Sequence, residues 1–153
     1  MRGEREKRVL VVDDDPEIRA ILTTVLRRQG IVVDSAVDGR EAIELAAKHA
    51  YAVIILDLML PVIDGFGVLH TVREASADAP VVLVVTGAEP SVTEALDPHT
   101  IHGIIRKPFE PDEVASVVAA CVEVKARMPF ETMAIATMVV GGPLLALLDR
   151  FAS

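Results

Sequence analysis

Val9-Leu10-Val11-Val12-Asp13-Asp14-Asp15-Pro16-Glu17 joins the end of one element to the start of another. The first four residues are apolar and mostly β-branched, and three acids stop them, the pattern of a short buried strand. Asp15 then stands where a helix N-cap belongs, Pro16 at the first helical position and Glu17 in the first turn. Ile18, Ile21, Leu22, Val25 and Leu26 follow at the spacing of an amphipathic helix, and Gly30 ends it.

The same unit recurs along the chain. Ile31 to Val33 is a strand candidate and Arg40 to Lys48 a helix. Val53 to Leu56 is the most apolar short run and is followed by Asp57. Phe66 to Glu74 is a helix after a loop containing Pro61 and Gly65. Val81 to Val85 is a strand ending at Thr86-Gly87. Ser91 to Leu96 is a short helix candidate bracketed by Pro90 and Pro98. Gly103 to Arg106 is a strand ending at Lys107-Pro108, and Pro111-Asp112-Glu113 opens a last helix with Val114, Val117, Val118, Cys121 and Val122 on one stripe. Continuous apolar strands alternating with helices predict an α/β (βα)5 domain, a doubly wound parallel sheet with helices on both faces.

Bulk composition narrows the function classes. At 153 residues the chain has room for one core of ordinary size, and its formal charge of −8 argues against a nucleic-acid partner, which needs clustered Lys and Arg. Trp is absent and Tyr and Phe are few, so stacking platforms for bases are poorly supplied. With Cys121 alone, no internal disulfide forms and no cysteine-based metal site is expected. Met1 to Arg8 mixes charges of both signs and the apolar run after it, Val9 to Val12, is only four residues long, so no signal peptide is read and a cytoplasmic protein is expected. His49, His70, His99 and His102 show no ligand spacing and are read as surface residues.

In an open α/β sheet, ligands bind outside the carboxyl ends of the strands. Those ends here carry Asp13-Asp14-Asp15, Asp57, Thr86 and Lys107. Taken singly, each is ordinary: a capped helix start, a turn aspartate, a Thr-Gly turn, a Lys-Pro loop. Their coincidence at one sheet edge is what points to chemistry. Three neighbouring carboxylates repel and raise one another's pKa, a conflict that a hard divalent cation removes. A carboxylate beside a cation, a lysine and a threonine hydroxyl is a place to put a phosphoryl group, and aspartate is a competent covalent acceptor.

These residues resemble the response-regulator receiver domain, of the chemotaxis-regulator, flavodoxin-like type. The resemblance covers about residues 8 to 125. It rests on Val9 to Asp15, on Asp57-Leu58-Met59-Leu60-Pro61-Val62-Ile63-Asp64-Gly65, on Val84-Val85-Thr86-Gly87 and on Lys107-Pro108-Phe109. It implies strand order 2-1-3-4-5, with Asp57 as phosphoacceptor and Mg²⁺ held by Asp14, Asp13, Asp57 and the backbone carbonyl of Met59. It also implies that Thr86 bonds a phosphoryl oxygen and moves towards it, that Lys107 pairs with the phosphate, and that Pro61, Gly65 and Pro108 shape the surrounding loops, Pro108 often through a cis bond. The implied function is a stand-alone phosphorylation switch rather than an enzyme. Its donor would be a sensor histidine kinase or a phosphotransfer protein, and its target a downstream protein effector, with a homodimer also open.

One departure is Ile104, which stands where the family usually carries an aromatic residue three positions before the lysine. It keeps open a phosphorylation-independent interaction module. An aspartate-nucleophile phosphatase would need an acid two residues after Asp57, where Met59 stands. Met59 and Ala88 flank the expected path of an attacking water and cannot hold it by hydrogen bonds, so slow self-dephosphorylation is expected. A flavin-binding flavodoxin is disfavoured because no Ser/Thr/Gly phosphate loop follows the first strand.

The expected organisation is an N-terminal segment at 1–7, a receiver at 8–126 and an apolar tail at 127–153. Thr132 to Leu148 carries no charge but is interrupted by Gly141-Gly142-Pro143. The stretch after Ala126 is too short for a DNA-binding output domain. Three readings fit it: a helical segment packing on the receiver or on a second subunit, a patch that docks a partner, and a membrane span, which needs about 20 apolar residues.

Overall fold

The computed structural model describes residues 7–75 and 79–127. Five strands alternate with five helices: β1 (Arg8–Val12), α1 (Pro16–Arg28), β2 (Val32–Ala36), α2 (Gly39–Lys48), β3 (Val53–Leu56), α3 (Gly65–Ala75), β4 (Val81–Thr86), α4 (Pro90–Thr93), β5 (Gly103–Arg106) and α5 (Pro111–Arg127). The strands form one parallel sheet in the order β2-β1-β3-β4-β5. The expected α/β (βα)5 architecture and strand order are those observed. Residues 127–153, assigned above to an apolar tail, lie outside the described residues apart from Arg127, at the end of α5. No helix among the described residues is long and apolar enough to cross a membrane.

Alternate residues of the central strands feed two cores. Val9, Val11, Val53, Ile55, Leu83 and Val85 pack with Leu22 and Leu26 of α1 and Val114, Val118 and Val122 of α5. Leu10, Val12, Ile54, Leu56, Val82 and Val84 pack on the other face with Ala42 of α2 and Val68, Leu69 and Val72 of α3. Period-two alternation between two buried faces explains why these strands read as unbroken apolar runs. The edge strand β2 departs from that reading. Val32 is exposed and Asp34 is tied by Arg8 Nη1 at 2.8 Å and by the Tyr51 hydroxyl at 2.7 Å, so the strand runs on to Ala36 through polar residues that the apolar run alone excluded.

The α5 stripe is buried as expected, and burial pushes the Cys121 thiol up to about 12. The α1 stripe is narrower than its spacing suggests. Leu22, Val25 and Leu26 are buried, whereas Ile21 is 44 % exposed. Ile21 precedes Leu22 by one residue, about 100° of helix rotation, and falls at the edge of the face that meets the sheet.

Asp15 caps α1 by accepting from Glu17 N at 2.9 Å, with Pro16 in the first turn. α4 is a single turn that starts on Pro90 and stops at Thr93, short of the Leu96 expected from the sequence, and Thr93 Oγ1 donates to Pro90 O at 3.0 Å within it. His102 is half-buried and hydrogen-bonded rather than free on the surface. Its Nδ1 accepts the amide of Val82 at 3.0 Å while its own amide donates to Val82 O at 2.8 Å, extending the β4–β5 ladder by one rung. Burial, then the nearby charges of Lys125 and Arg73, pull its pKa down to about 4.

Candidate functional site

Register brings the polar strand ends together. Val12 lies opposite Leu56, Leu56 opposite Val84 and Thr86 opposite Arg106. The next residue on each of β1, β3 and β5 is therefore Asp13, Asp57 and Lys107, while Thr86 closes β4. Backbone bonds continue the ladder into the site, from Asp57 N to Val12 O at 3.0 Å and from Lys107 N to Thr86 O at 3.1 Å. The edge lies where chain connections leave β1 and β3 for opposite faces, the usual position for a ligand in such a sheet.

Asp57 is buried and both its oxygens are held. Oδ1 accepts from the Thr86 hydroxyl at 2.9 Å and from the Met59 amide at 3.1 Å; Oδ2 accepts from Lys107 Nζ at 2.9 Å. Thr86 is fully buried, and its Oγ1 in turn accepts from Ala88 N at 3.1 Å. The loop after Asp57 comes close over it. A Cβ on Gly65 would sit 2.6 Å from Leu58 Cα and 2.7 Å from Asp57 O, so no larger residue fits there without moving the acceptor's own backbone. On the other side, the Lys107–Pro108 peptide bond is cis.

Asp13 is 2 % exposed and Asp14 is exposed. Asp13 Oδ1 accepts from Asp15 N at 2.9 Å, and Arg19 Nη1 holds its carbonyl at 2.7 Å. Oδ2 lies 2.7 Å from Lys107 Nζ, but off the direction of a hydrogen bond, and among the described residues it has no hydrogen-bond donor. Burial raises the Asp13 pKa, with Lys107 and the Asp15 amide opposing and the charge of Asp57 contributing least. Burial, more than repulsion from Asp57, is therefore what holds the Asp13 pKa up. Burial works against the Lys107 ammonium, but the carboxylates of Asp13 and Asp57, 2.7 and 2.9 Å from Nζ, outweigh it and raise its pKa.

Asp13, Asp14 and Asp57 each offer a carboxylate oxygen, and these atoms lie within 4.8 Å of one another. An all-oxygen donor set containing one buried oxygen without a donor fits a hard cation such as Mg²⁺, which takes a few carboxylates and completes its shell with water or phosphate. The expected acids, threonine and lysine are all brought together; Met59 contributes its amide to Asp57, and its side chain is exposed.

Two features were not foreseen. Arg106, one residue before Lys107, donates from Nη1 to Ala88 O at 2.6 Å and from Nη2 to Thr93 Oγ1 at 2.7 Å. Adjacent strand residues face opposite ways, and that alternation was the available signal that Arg106 leaves the acid cluster for α4. Val62, 75 % exposed in the loop after the acceptor, has φ +71°, a left-handed conformation that a β-branched residue seldom adopts and that composition does not announce.

Residues 9–119 match the family model for the response regulator receiver domain. The chain is 37 % identical over 120 residues to the transcriptional regulatory protein ResD of Bacillus subtilis, an alignment covering 78 % of this chain and 50 % of that protein. It spans about half the length of the curated relatives it matches. Among solved structures it is similar to the chemotaxis response regulator CheY4 of Vibrio cholerae, with 32 % identity, a TM-score of 0.67 and coverage of 74 % of this chain and 97 % of that one. It is also similar to the response regulator TrrA of Thermotoga maritima in complex with Mg²⁺ and BeF, with 31 % identity, a TM-score of 0.66 and coverage of 75 % and 98 %.

Proposed function

We propose that this chain, which belongs to the response regulator receiver domain family, is a switch that takes a phosphoryl group on Asp57. The observation that carries the reading is the treatment of the Asp57 carboxylate, which is buried yet held at one oxygen by Thr86 and Met59 N and at the other by Lys107. In the transfer, an Asp57 oxygen forms a bond to phosphorus as the donor's bond to phosphorus breaks and its electron pair leaves with the donor. Little covalent work falls to the protein; positioning and charge neutralisation dominate.

Lys107 supplies one positive charge for the arriving phosphoryl oxygens. Thr86, whose hydroxyl already points at Oδ1, can turn its hydrogen bond to a phosphoryl oxygen. Asp13, Asp14, Asp57 and the carbonyl of Met59 would hold Mg²⁺. When bound, that ion would neutralise charge between acceptor and phosphoryl group.

The donor fits a sensor histidine kinase or phosphotransfer protein, and the output passes through protein contacts; a net charge of −8 does not favour a nucleic-acid backbone. The protein would work in the cytoplasm as a signalling module rather than as a turnover enzyme. Intact mass after treatment with acetyl phosphate and Mg²⁺ tests the reading. Wild type gains one phosphoryl group and Asp57→Asn gains none; no gain in wild type, or an equal gain in the variant, would defeat it.

A further inference from the structure

A chain of hydrogen bonds leaves the acceptor and ends in α4. Thr86 Oγ1 donates to Asp57 Oδ1 at 2.9 Å and accepts from Ala88 N at 3.1 Å. Ala88 O accepts from Arg106 Nη1 at 2.6 Å. Arg106 Nη2 donates to Thr93 Oγ1 at 2.7 Å, and Thr93 Oγ1 donates to Pro90 O at 3.0 Å. Every link joins described residues, and the two strands that carry it are locked in register, with Thr86 beside Arg106.

We propose that Arg106 is a positioning residue that couples the Thr86 hydroxyl to α4, so that a change at Asp57 is read out as a change in the first turn of that helix. The proposal deepens the switch reading and rests on it. Three physical features support it. First, α4 is a single turn of four residues, too short to be held by its own hydrogen bonds alone, so its placement depends on outside anchors. Arg106 is such an anchor, and Thr93, its target, is buried. Second, the guanidinium is a rigid planar fork that holds Ala88 and Thr93 at a fixed separation, so a shift of Ala88 is transmitted rather than absorbed. Third, the packing beside this path is aliphatic. Ile104 is buried on β5 and has no polar atom with which to report on Thr86. The polar route from Thr86 to α4 therefore runs through Ala88 and Arg106.

When Asp57 is phosphorylated, the Thr86 hydroxyl exchanges a carboxylate partner for a phosphoryl oxygen. Ala88 N is bonded to that same hydroxyl oxygen and follows it. The fork then carries the displacement to Thr93, and exposed residues of the segment, Ser91 and Glu94 among them, present an altered surface. The far side of this segment is tethered separately, by Arg73 Nη1 to His99 O at 2.7 Å, so the change should concentrate between Gly87 and Asp97.

The test uses the full chain with Mg²⁺ and acetyl phosphate, and reads two quantities: phosphoryl uptake by intact mass, and amide hydrogen exchange over 87–97 with and without the donor. Arg106→Lys keeps the charge but loses the fork, and Thr93→Val keeps the fork's grip on Ala88 while cutting the link to α4. Both variants are expected to take up the phosphoryl group at a rate within about 3-fold of wild type, because neither side chain touches the acceptor. Both should lose most of the phosphorylation-dependent change in exchange over 87–97. A purely structural role would shift exchange equally with and without the donor, leaving their difference intact, and that result overturns the proposal. So does a wild-type chain that is phosphorylated with no change over 87–97. Absence of phosphoryl uptake in wild type is a distinct outcome and removes the switch reading itself.

Discussion

The Thr86 hydroxyl donates to Asp57 Oδ1 at 2.9 Å inside a site where Thr86 is fully buried. The same oxygen accepts the Ala88 amide, so one hydroxyl both restrains the acceptor and holds the start of the following loop. Thr86→Val removes the hydroxyl at nearly constant volume and leaves the Ala88 amide without its acceptor. Stability in urea should fall by about 1–2 kcal/mol, and Thr86→Ser should recover most of it. A Thr86→Val protein as stable as wild type would mean that the hydroxyl bonds no more strongly to these groups than to water.

Lys107 balances two acids at once, 2.7 Å from Asp13 Oδ2 and 2.9 Å from Asp57 Oδ2. Lys107→Met leaves both carboxylates without their counter-charge. In EDTA the melting temperature should drop, by an amount equivalent to ~1–3 kcal/mol. Because the cation and the ammonium draw on the same carboxylates, Mg²⁺ should bind the variant at least ~3-fold more tightly and recover much of the lost stability. Weaker Mg²⁺ binding in Lys107→Met, read by thermal shift across a Mg²⁺ titration, would contradict this account of the site.

His102 predicts a pH dependence with a definite sign. Its pKa is pulled from 6.5 to about 4 in the fold, by burial first and then by Lys125 and Arg73. The folded protein therefore favours the neutral ring, whose Nδ1 accepts Val82 N. Its stabilising contribution is complete above pH 6.5 and is lost as pH falls from there towards 4. At about 1.4 kcal/mol per pH unit the loss is capped near ~3 kcal/mol, and partial exposure brings it below that. Asp13, whose pKa is raised, acts in the opposite direction at acidic pH, so the informative quantity is the difference between wild type and His102→Asn. Asparagine can offer an oxygen near the position of Nδ1 without titrating. The variant's stability should fall less between pH 6.5 and 4; parallel curves would refute the assignment.

Val62 stores backbone strain beside the acceptor loop, with φ +71° and its side chain three-quarters exposed. Asparagine tolerates that conformation and little apolar burial is lost on replacement. Val62→Asn should therefore stabilise the protein by about 1 kcal/mol in denaturant unfolding. A loss of stability would show that the Val62 side chain makes contacts that outweigh the strain.

Most of the fold and the whole acid, threonine and lysine set were legible because both depend on local rules. Apolar runs of four to six residues become central strands, and whatever follows them lies at the ligand-binding edge; Asp13, Asp57, Thr86 and Lys107 were found that way. Ile21 and Val32 were misjudged because hydropathy does not say where a helical stripe ends or which strand is an edge. His102 reads as a surface residue in the sequence because its bond to Val82 joins residues 20 positions apart. Arg106 was passed over because its partners, Ala88 and Thr93, lie on a neighbouring strand's loop and helix, 18 and 13 positions away.

The central claim is that Asp57, and no other of the clustered acids, receives the phosphoryl group. Borohydride reduction of the phosphorylated chain, followed by peptide mapping, tests it at the level of the residue, because an acyl phosphate is reduced to the alcohol while a free carboxylate is not. The account predicts that Asp57 alone is converted to homoserine, with Asp13, Asp14 and Asp15 recovered as aspartate. Conversion at Asp13 or Asp14 with Asp57 unmodified would contradict it.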